Sequence, residues 1–308
     1  MIAKDRSKVI RLAALRRFAT TITILNIVGH IFLGFEQSWA QPLVALATTY
    51  SMELVLELMD ARSHQRPLAF AGGLRNLVDF LLPAHITGLS IAMLLWANDQ
   101  LLPFAFAAAV ATGSKAILRV PIGKGTRHFL NPSNLGITLT LILLPWVGFA
   151  PPYEFTENLS GAGYWILPAI IIILGSLVNR LTGRLPLIAG WLAGFVLQAC
   201  LRSVLFGFPV VAALVPMTGV MFIIYTFYMI TDPGTTPQGT WGQVAFGAAV
   251  AGVYGLLILV HVVAAIFIAL TIVCALRGLG LFAKALAARR TRTKAVTQEP
   301  TVVGVGKL

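Results

Sequence analysis

Charge is scarce in this sequence. Only 11% of its 308 residues are Asp, Glu, Lys or Arg, against about 25% in a soluble domain. A chain this poor in charge cannot cover its surface with water-seeking groups, which excludes an ordinary soluble enzyme and a disordered protein. Cysteine is scarcer still. Cys200 and Cys274 lie in apolar stretches and neither belongs to a CxxC spacing, which excludes a disulfide scaffold and a cysteine-ligated zinc site. Acidic residues number 11 against 23 basic ones, a net charge of +12. HExxH, GxSxG, GxGxxG and CxxCH are all missing, so the chain has no self-contained active site, no expected metal and no means of oxidising NADH alone.

Apolar residues make up the balance, at 57% of the chain and a mean hydropathy of +0.85. Lipid is therefore the expected solvent. A helix needs about 20 apolar residues to cross a bilayer. Ten segments approach that length: 17–36, 41–59, 78–97, 101–117, 131–149, 164–180, 185–201, 208–230, 241–258 and 262–277. The last two form one run from Trp241 to Leu276, too long for a single crossing, and are divided near His261. The predicted fold is thus all-α, a polytopic membrane protein with about ten transmembrane helices. Residues 1–16 form a basic N-terminal segment, 17–277 the helical domain and 278–308 a basic, partly disordered tail. Two inverted five-helix halves, as in many transporters, are compatible with the count.

The basic residues explain the net charge better than a nucleic-acid partner does. Cytoplasmic loops carry excess Lys and Arg. With ten spans, all 23 basic residues except Arg202 fall in the termini and even-numbered loops, while Glu36, Asp99, Glu154 and Glu157 fall in the odd ones. That alternation places both termini in the cytoplasm of a multi-pass protein of the cell (inner) membrane, with the lipid bilayer as its main partner and no nucleic acid.

Polar groups inside apolar segments are the candidate sites, since a charge at mid-bilayer costs about 2.5–3.5 kcal/mol on insertion scales. Glu53 and Glu57 share one face of the second span, and His30 lies in the first. Together they outline a cation or proton path; alternatively Glu57 and Asp60 pair with Arg62 or Arg66 at the membrane surface. Two further stretches, Gly123–Gly136 and Ile230–Gly239, break the helical pattern with Asn131-Pro132 and Asp232-Pro233 among small hydroxylated residues. Asn131 and Asp232 are expected to cap the following helices, leaving helix N-termini able to attract an anion or a flavin carbonyl. A pair of capped loops that merely end spans is the other reading.

These stretches carry a family resemblance. TDPGTTPQGTWG, after YTFYM, and HFLNPSNLG resemble the two signatures of the NqrB/RnfD membrane subunits, from the sodium-translocating NADH:quinone reductase and the Rnf electron-transport complex. The similarity covers roughly residues 75–280 and is strongest to short stand-alone members, such as those beside enediyne biosynthesis genes. The resemblance implies electron transport coupled to ion translocation, other membrane electron-transport subunits as partners, and a flavin (FMN or riboflavin). It implies Asn131, Ser133, Asn134, Thr231, Asp232, Thr235 and Thr236 as a non-covalent flavin or anion site. The family attaches FMN to the threonine of an S-G-A-T loop. Here that loop reads Ser160, Gly161, Ala162, Gly163, and glycine has no hydroxyl, so covalent FMN is not expected. Loss of the attachment point leaves a second expectation, a stand-alone small-molecule or ion transporter on the same scaffold.

Overall fold

The computed structural model describes residues 2–123, 125–151 and 155–297; of the residues named above, Glu154 lies outside it, as does the end of the tail, 298–308. The described structure is 73% helical. The eleven described helices are α1 (Ile2–Val28), α2 (Ala40–Ser63), α3 (Leu74–Leu94), α4 (Leu102–Ile117), α5 (Pro132–Leu143), α6 (Gly163–Thr182), α7 (Leu185–Phe206), α8 (Val210–Leu214), α9 (Val220–Ile224), α10 (Thr240–Leu259) and α11 (Ala265–Thr297). Four short strands, β1 (Leu95–Trp96), β2 (Arg119–Ile122), β3 (Gly125–His128) and β4 (Gly148–Phe149), pair β1 with β4 and β2 with β3, both antiparallel.

Among the described residues, seven helical segments are long and apolar enough to cross a bilayer: Leu12–Leu33, α2, α3, α6, α7, α10 and Ala265–Ala288. The chain is an integral membrane protein. An eighth crossing is formed if Val210–Thr218 and Val220–Met229, bent by 70° at their junction, count as one broken span. Pro216 and Gly219 lie at that bend and explain it, since proline removes a helix donor and glycine frees the backbone. The other two expected spans are α4 and α5, of 16 and 12 residues. At 1.5 Å per residue they reach only about 24 and 18 Å, short of a hydrocarbon core of about 30 Å. The long run from Trp241 divides at 260–264, where His261 takes a left-handed φ of 62°. Past Arg277, α11 continues through Thr297, so residues 278–297 of the basic tail are helical.

Close backbone approach holds the bundle together. Gly190 and Gly194 of α7 have the small-xxx-small spacing that lets membrane helices touch. A Cβ on Gly190 would meet the Val244 carbonyl oxygen of α10 at 2.4 Å. Gly136 brings α5 equally near α4, its missing Cβ 2.3 Å from the Ala107 carbonyl oxygen. Beside the α7–α10 contact, Trp191 packs against Phe195, Phe222, Tyr225 and Tyr254, and its indole N–H donates to Thr226 Oγ1 at 2.9 Å. The outer surface is apolar instead, with Val204, Leu205, Trp165 and Ile173 exposed to the surrounding lipid.

The bundle has two chemically distinct ends. At one, Gln37 and Gln41 donate to the carbonyls of Leu95 and Asn98, and β1 pairs with β4. At the other, Arg16 meets Asp79, Arg66 meets Glu57, and the Asn131 and Asp232 stretches converge. Every basic residue with a described side chain, except Arg202, lies toward this second, basic end.

Candidate functional site

Asn131 caps α5 as its sequence position suggests. With φ −66° and ψ 121°, it is extended, and its Oδ1 accepts from the Asn134 backbone N–H at 3.0 Å and from Ser133 Oγ at 3.1 Å. Pro132 follows at the first helical position, where a missing N–H costs nothing. The cap has a second role. Asn131 Nδ2 donates to the Met229 carbonyl at 2.9 Å, across 98 residues of sequence. The two signature stretches are thus joined directly in the protein interior.

Asp232 corrects the expectation made for it. It caps no helix: α10 starts at Thr240, after Gly239, with no side-chain cap. Instead Asp232 folds its own turn. One carboxylate oxygen accepts from the Gly234 N–H at 2.9 Å and the other from Thr235 Oγ1 at 3.0 Å, while its carbonyl accepts from Thr236 Oγ1 at 2.7 Å. Thr231 Oγ1 donates back to the Phe227 carbonyl at 2.9 Å. At α5, Asn131 occupies one of the N-terminal donors, the Asn134 N–H.

Positive charge surrounds this corner. Arg184, 2% exposed, donates from Nη1 to the Pro237 carbonyl, and Arg277 Nη1 donates to the Thr235 carbonyl at 2.8 Å. His128 faces Gly234; a Cβ there would lie 2.9 Å from His128 Nε2. Burial holds the His128 imidazole below its ordinary pKa, opposed by the Asp232 carboxylate and reinforced by Lys115, Arg119 and Arg127. Burial also lowers the Arg184 guanidinium, again opposed by Asp232. Among the described residues, three buried polar atoms at the corner have no partner: Arg184 Nε, a donor, and Asn134 Oδ1 and Gln243 Oε1, acceptors. The Asn134 amide nitrogen is fully used, donating to the Phe267 carbonyl at 2.9 Å and to Thr271 Oγ1 at 2.8 Å. Leaving such groups unpaired costs roughly 1–3 kcal/mol each, so the corner is set up to receive a polar group. His128, Arg184 and Arg277 read in the sequence only as topogenic charge or as part of a loop.

Asn131→Ala should lower stability by about 2 kcal/mol, from roughly 1 for a lost cap and a similar amount for the lost Met229 bond. Asn131→Ser keeps a capping oxygen and loses only the bridge, so it should recover about half. Thermal unfolding of the purified variants checks this; equal melting of the two variants would assign the whole effect to the bridge.

The expected ion-path residues are held apart by separate partners. Glu53 Oε2 pairs with Lys115 Nζ at 2.6 Å. Glu57 is forked by Arg66 at 2.6 and 2.8 Å and also accepts from the Ala69 N–H, with Asp60 on the same guanidinium. The two carboxylates hold Arg66 well above its ordinary pKa. His30 donates from Nδ1 to the Asn26 carbonyl at 2.8 Å and stacks on Trp39. A polar network that sequence reasoning left unassigned lies between α1, α2 and α3. Thr23 Oγ1 donates to the Ala19 carbonyl, His85 Nε2 lies 2.7 Å from Thr23 Oγ1, and Tyr50 reaches His85 Nδ1. The Thr23 hydroxyl proton is committed to Ala19, which makes His85 Nε2 the donor and Tyr50 OH the donor to Nδ1.

Ser160, Gly161 and Ala162 form an exposed turn at the opposite end of the bundle, with Gly161 at φ 55°, and Gly163 opens α6. No side chain at 163 offers a hydroxyl for a phosphoester. Among the described residues no group of three or more His, Cys, Asp or Glu is arranged to hold a metal. Comparison of the chain with protein-family models and with curated proteins gives no match.

Proposed function

We propose that the protein is a membrane subunit of the NqrB/RnfD type, working in electron transport coupled to ion translocation, and that its buried basic corner holds a flavin (FMN or riboflavin) without a covalent bond. The observation that carries this reading is the Asn131–Met229 hydrogen bond, which joins the two signature stretches beside the unpartnered Arg184 Nε and Asn134 Oδ1. Those atoms fit the polar edge of a flavin: a guanidinium N–H suits a ring carbonyl or a phosphate oxygen, and an amide oxygen suits a ring N–H. A flavin supplies one- and two-electron redox chemistry. The chain's own part is to orient that group through Asn134 and Arg184, to hold the loop around it through Asp232, Thr235 and Thr236, and to exclude water by burial. Electrons must come from and go to partner subunits, because the sequence carries no nicotinamide, haem or iron–sulfur motif of its own. The concentration of basic residues at the corner end supports a cytoplasmic placement for that end and for both termini in the cell (inner) membrane.

Protein purified from its native membranes should show the absorption bands of a flavin, and acid precipitation should release all colour to the supernatant. Colour retained in the pellet would overturn the reading of Gly163. Repeatedly colourless protein would overturn the flavin and favour the second reading, a stand-alone small-molecule or ion transporter. The feature in its favour is the Thr23–His85–Tyr50 network, a set of exchangeable protons linking three membrane helices.

A further inference from the structure

Arg202 is the basic residue out of place. It lies on α7 one turn before Phe206, at the end of the bundle opposite the basic corner, and is only 8% exposed. No hydrogen bond or ion pair among the described residues reaches its guanidinium, and its Nε is buried without a partner. The nearest aromatic, Phe208, has its ring centre 5.9 Å from the guanidinium carbon. A ring face attracts the charge but satisfies none of the N–H groups in the guanidinium plane.

Two neighbours share this condition. Gln198 stands four residues before Arg202, on the same face of α7, and is 7% exposed. Its Nε2 donates to the Phe195 carbonyl at 2.9 Å, while its Oε1 is buried and unpaired. Room for that amide comes from Gly255 on α10, where a Cβ would lie 3.0 Å from Oε1. Beside Gly255, Tyr254 is buried, stacks on Phe195, and has a hydroxyl with no hydrogen bond to any described residue. Unpaired donors from Arg202 and Tyr254 and an unpaired acceptor from Gln198 therefore gather at one seam between α7 and α10. The rim is made of Leu201, Val204, Leu205 and Phe206, all exposed and apolar.

We propose that this seam binds a phosphate group. The guanidinium fork matches two phosphate oxygens, and a planar fork is selective for that geometry. The Tyr254 hydroxyl adds a third donor, and Gln198 Oε1 accepts from a hydroxyl or water carried by the ligand. Both a phospholipid headgroup and free inorganic phosphate present this chemistry. The lipid-facing rim and the position one turn from the helix end place the site at headgroup depth.

The test uses the full chain, purified and delipidated in neutral detergent, and follows thermal unfolding during separate titrations with inorganic phosphate and with phosphatidylglycerol in mixed micelles. Wild-type protein should gain melting temperature with at least one of them. Arg202→Gln should require about tenfold or more ligand for the same gain, as expected for a lost charged hydrogen bond. Tyr254→Phe should require about fivefold more; it carries the comparison if Arg202→Gln does not fold. Arg180→Gln, an exposed arginine on α6 at the basic end, should respond like wild type. Stabilisation by phosphatidylglycerol alone assigns the site to a headgroup, and stabilisation by inorganic phosphate assigns it to the free anion. No stabilisation by either, or an equal response from wild type, Arg202→Gln and Tyr254→Phe, overturns the proposal.

Discussion

Gly247→Leu is expected to abolish recovery of folded protein from membranes, while Gly252→Leu on the same helix should be recovered and melt like wild type. The difference lies in what each position faces. A Cβ at 247 would lie 2.4 Å from the Leu187 carbonyl oxygen and 2.5 Å from the Trp191 backbone nitrogen. A Cβ at 252 would meet nothing within 4 Å. Overpacking against movable side chains costs roughly 1–3 kcal/mol. Here the obstacle is the backbone of α7, which cannot rotate away, so α7 and α10 must separate. Separation also unseats Trp191, fully buried between Phe195, Phe222, Tyr225 and Tyr254. Size-exclusion profiles and thermal unfolding in detergent read the outcome. A Gly247→Leu protein that melts like wild type would show that the two helices do not pack as described.

Lys115→Met should cost about 1–3 kcal/mol, between the value for an exposed ion pair, about 0–1, and that for breaking a fully buried one, about 3–5. The pair joins α2 to α4 at 2.6 Å, with side chains 15% exposed for Lys115 and 21% for Glu53. Removing the ammonium leaves the Glu53 carboxylate in a poorly solvated place. Lys115→Met combined with Glu53→Gln should therefore recover most of the loss, since replacing both partners of a buried pair is often close to neutral. The same cycle tests the ion path. If Glu53 lines one, Glu53→Gln reduces transport while the protein melts like wild type. If Glu53 serves to hold α2 and α4 together, Glu53→Gln lowers the melting temperature by stranding Lys115, and the double variant restores it. Additive losses in the double variant would show that the two side chains do not interact.

Hydropathy located the apolar segments well because it reports on solvent, and solvent preference is a local property of side chains. Each of the ten segments from the sequence coincides with a helix, a bent helix pair or a shorter apolar helix. The break at His261 and the cap at Asn131 were also legible, since both depend on the few residues around them. Segment length was less so. A run such as 131–149 is apolar throughout, yet α5 stops at Leu143 and the chain turns to pair β4 with β1. Hydropathy does not distinguish helix from an apolar strand at a bundle end. Asp232 shows the same limit, because Asp before Pro suits a cap and a self-closed turn equally.

The sequence by itself determined that this chain lives in lipid, that its positive charge gathers at one end, and that Asn-Pro and Asp-Pro interrupt the apolar pattern there. Only the tertiary structure decided who meets whom: Asn131 with Met229 across 98 residues, Glu53 with Lys115 across 62, Arg184 with Pro237 across 53, and Arg202 with no counter-charge among the described residues. The reason is physical. Burial of apolar surface is non-directional and can be summed along a chain, whereas a hydrogen bond or ion pair needs two groups within about 3 Å in a set orientation, and that is fixed only when glycine-lined helices settle against one another.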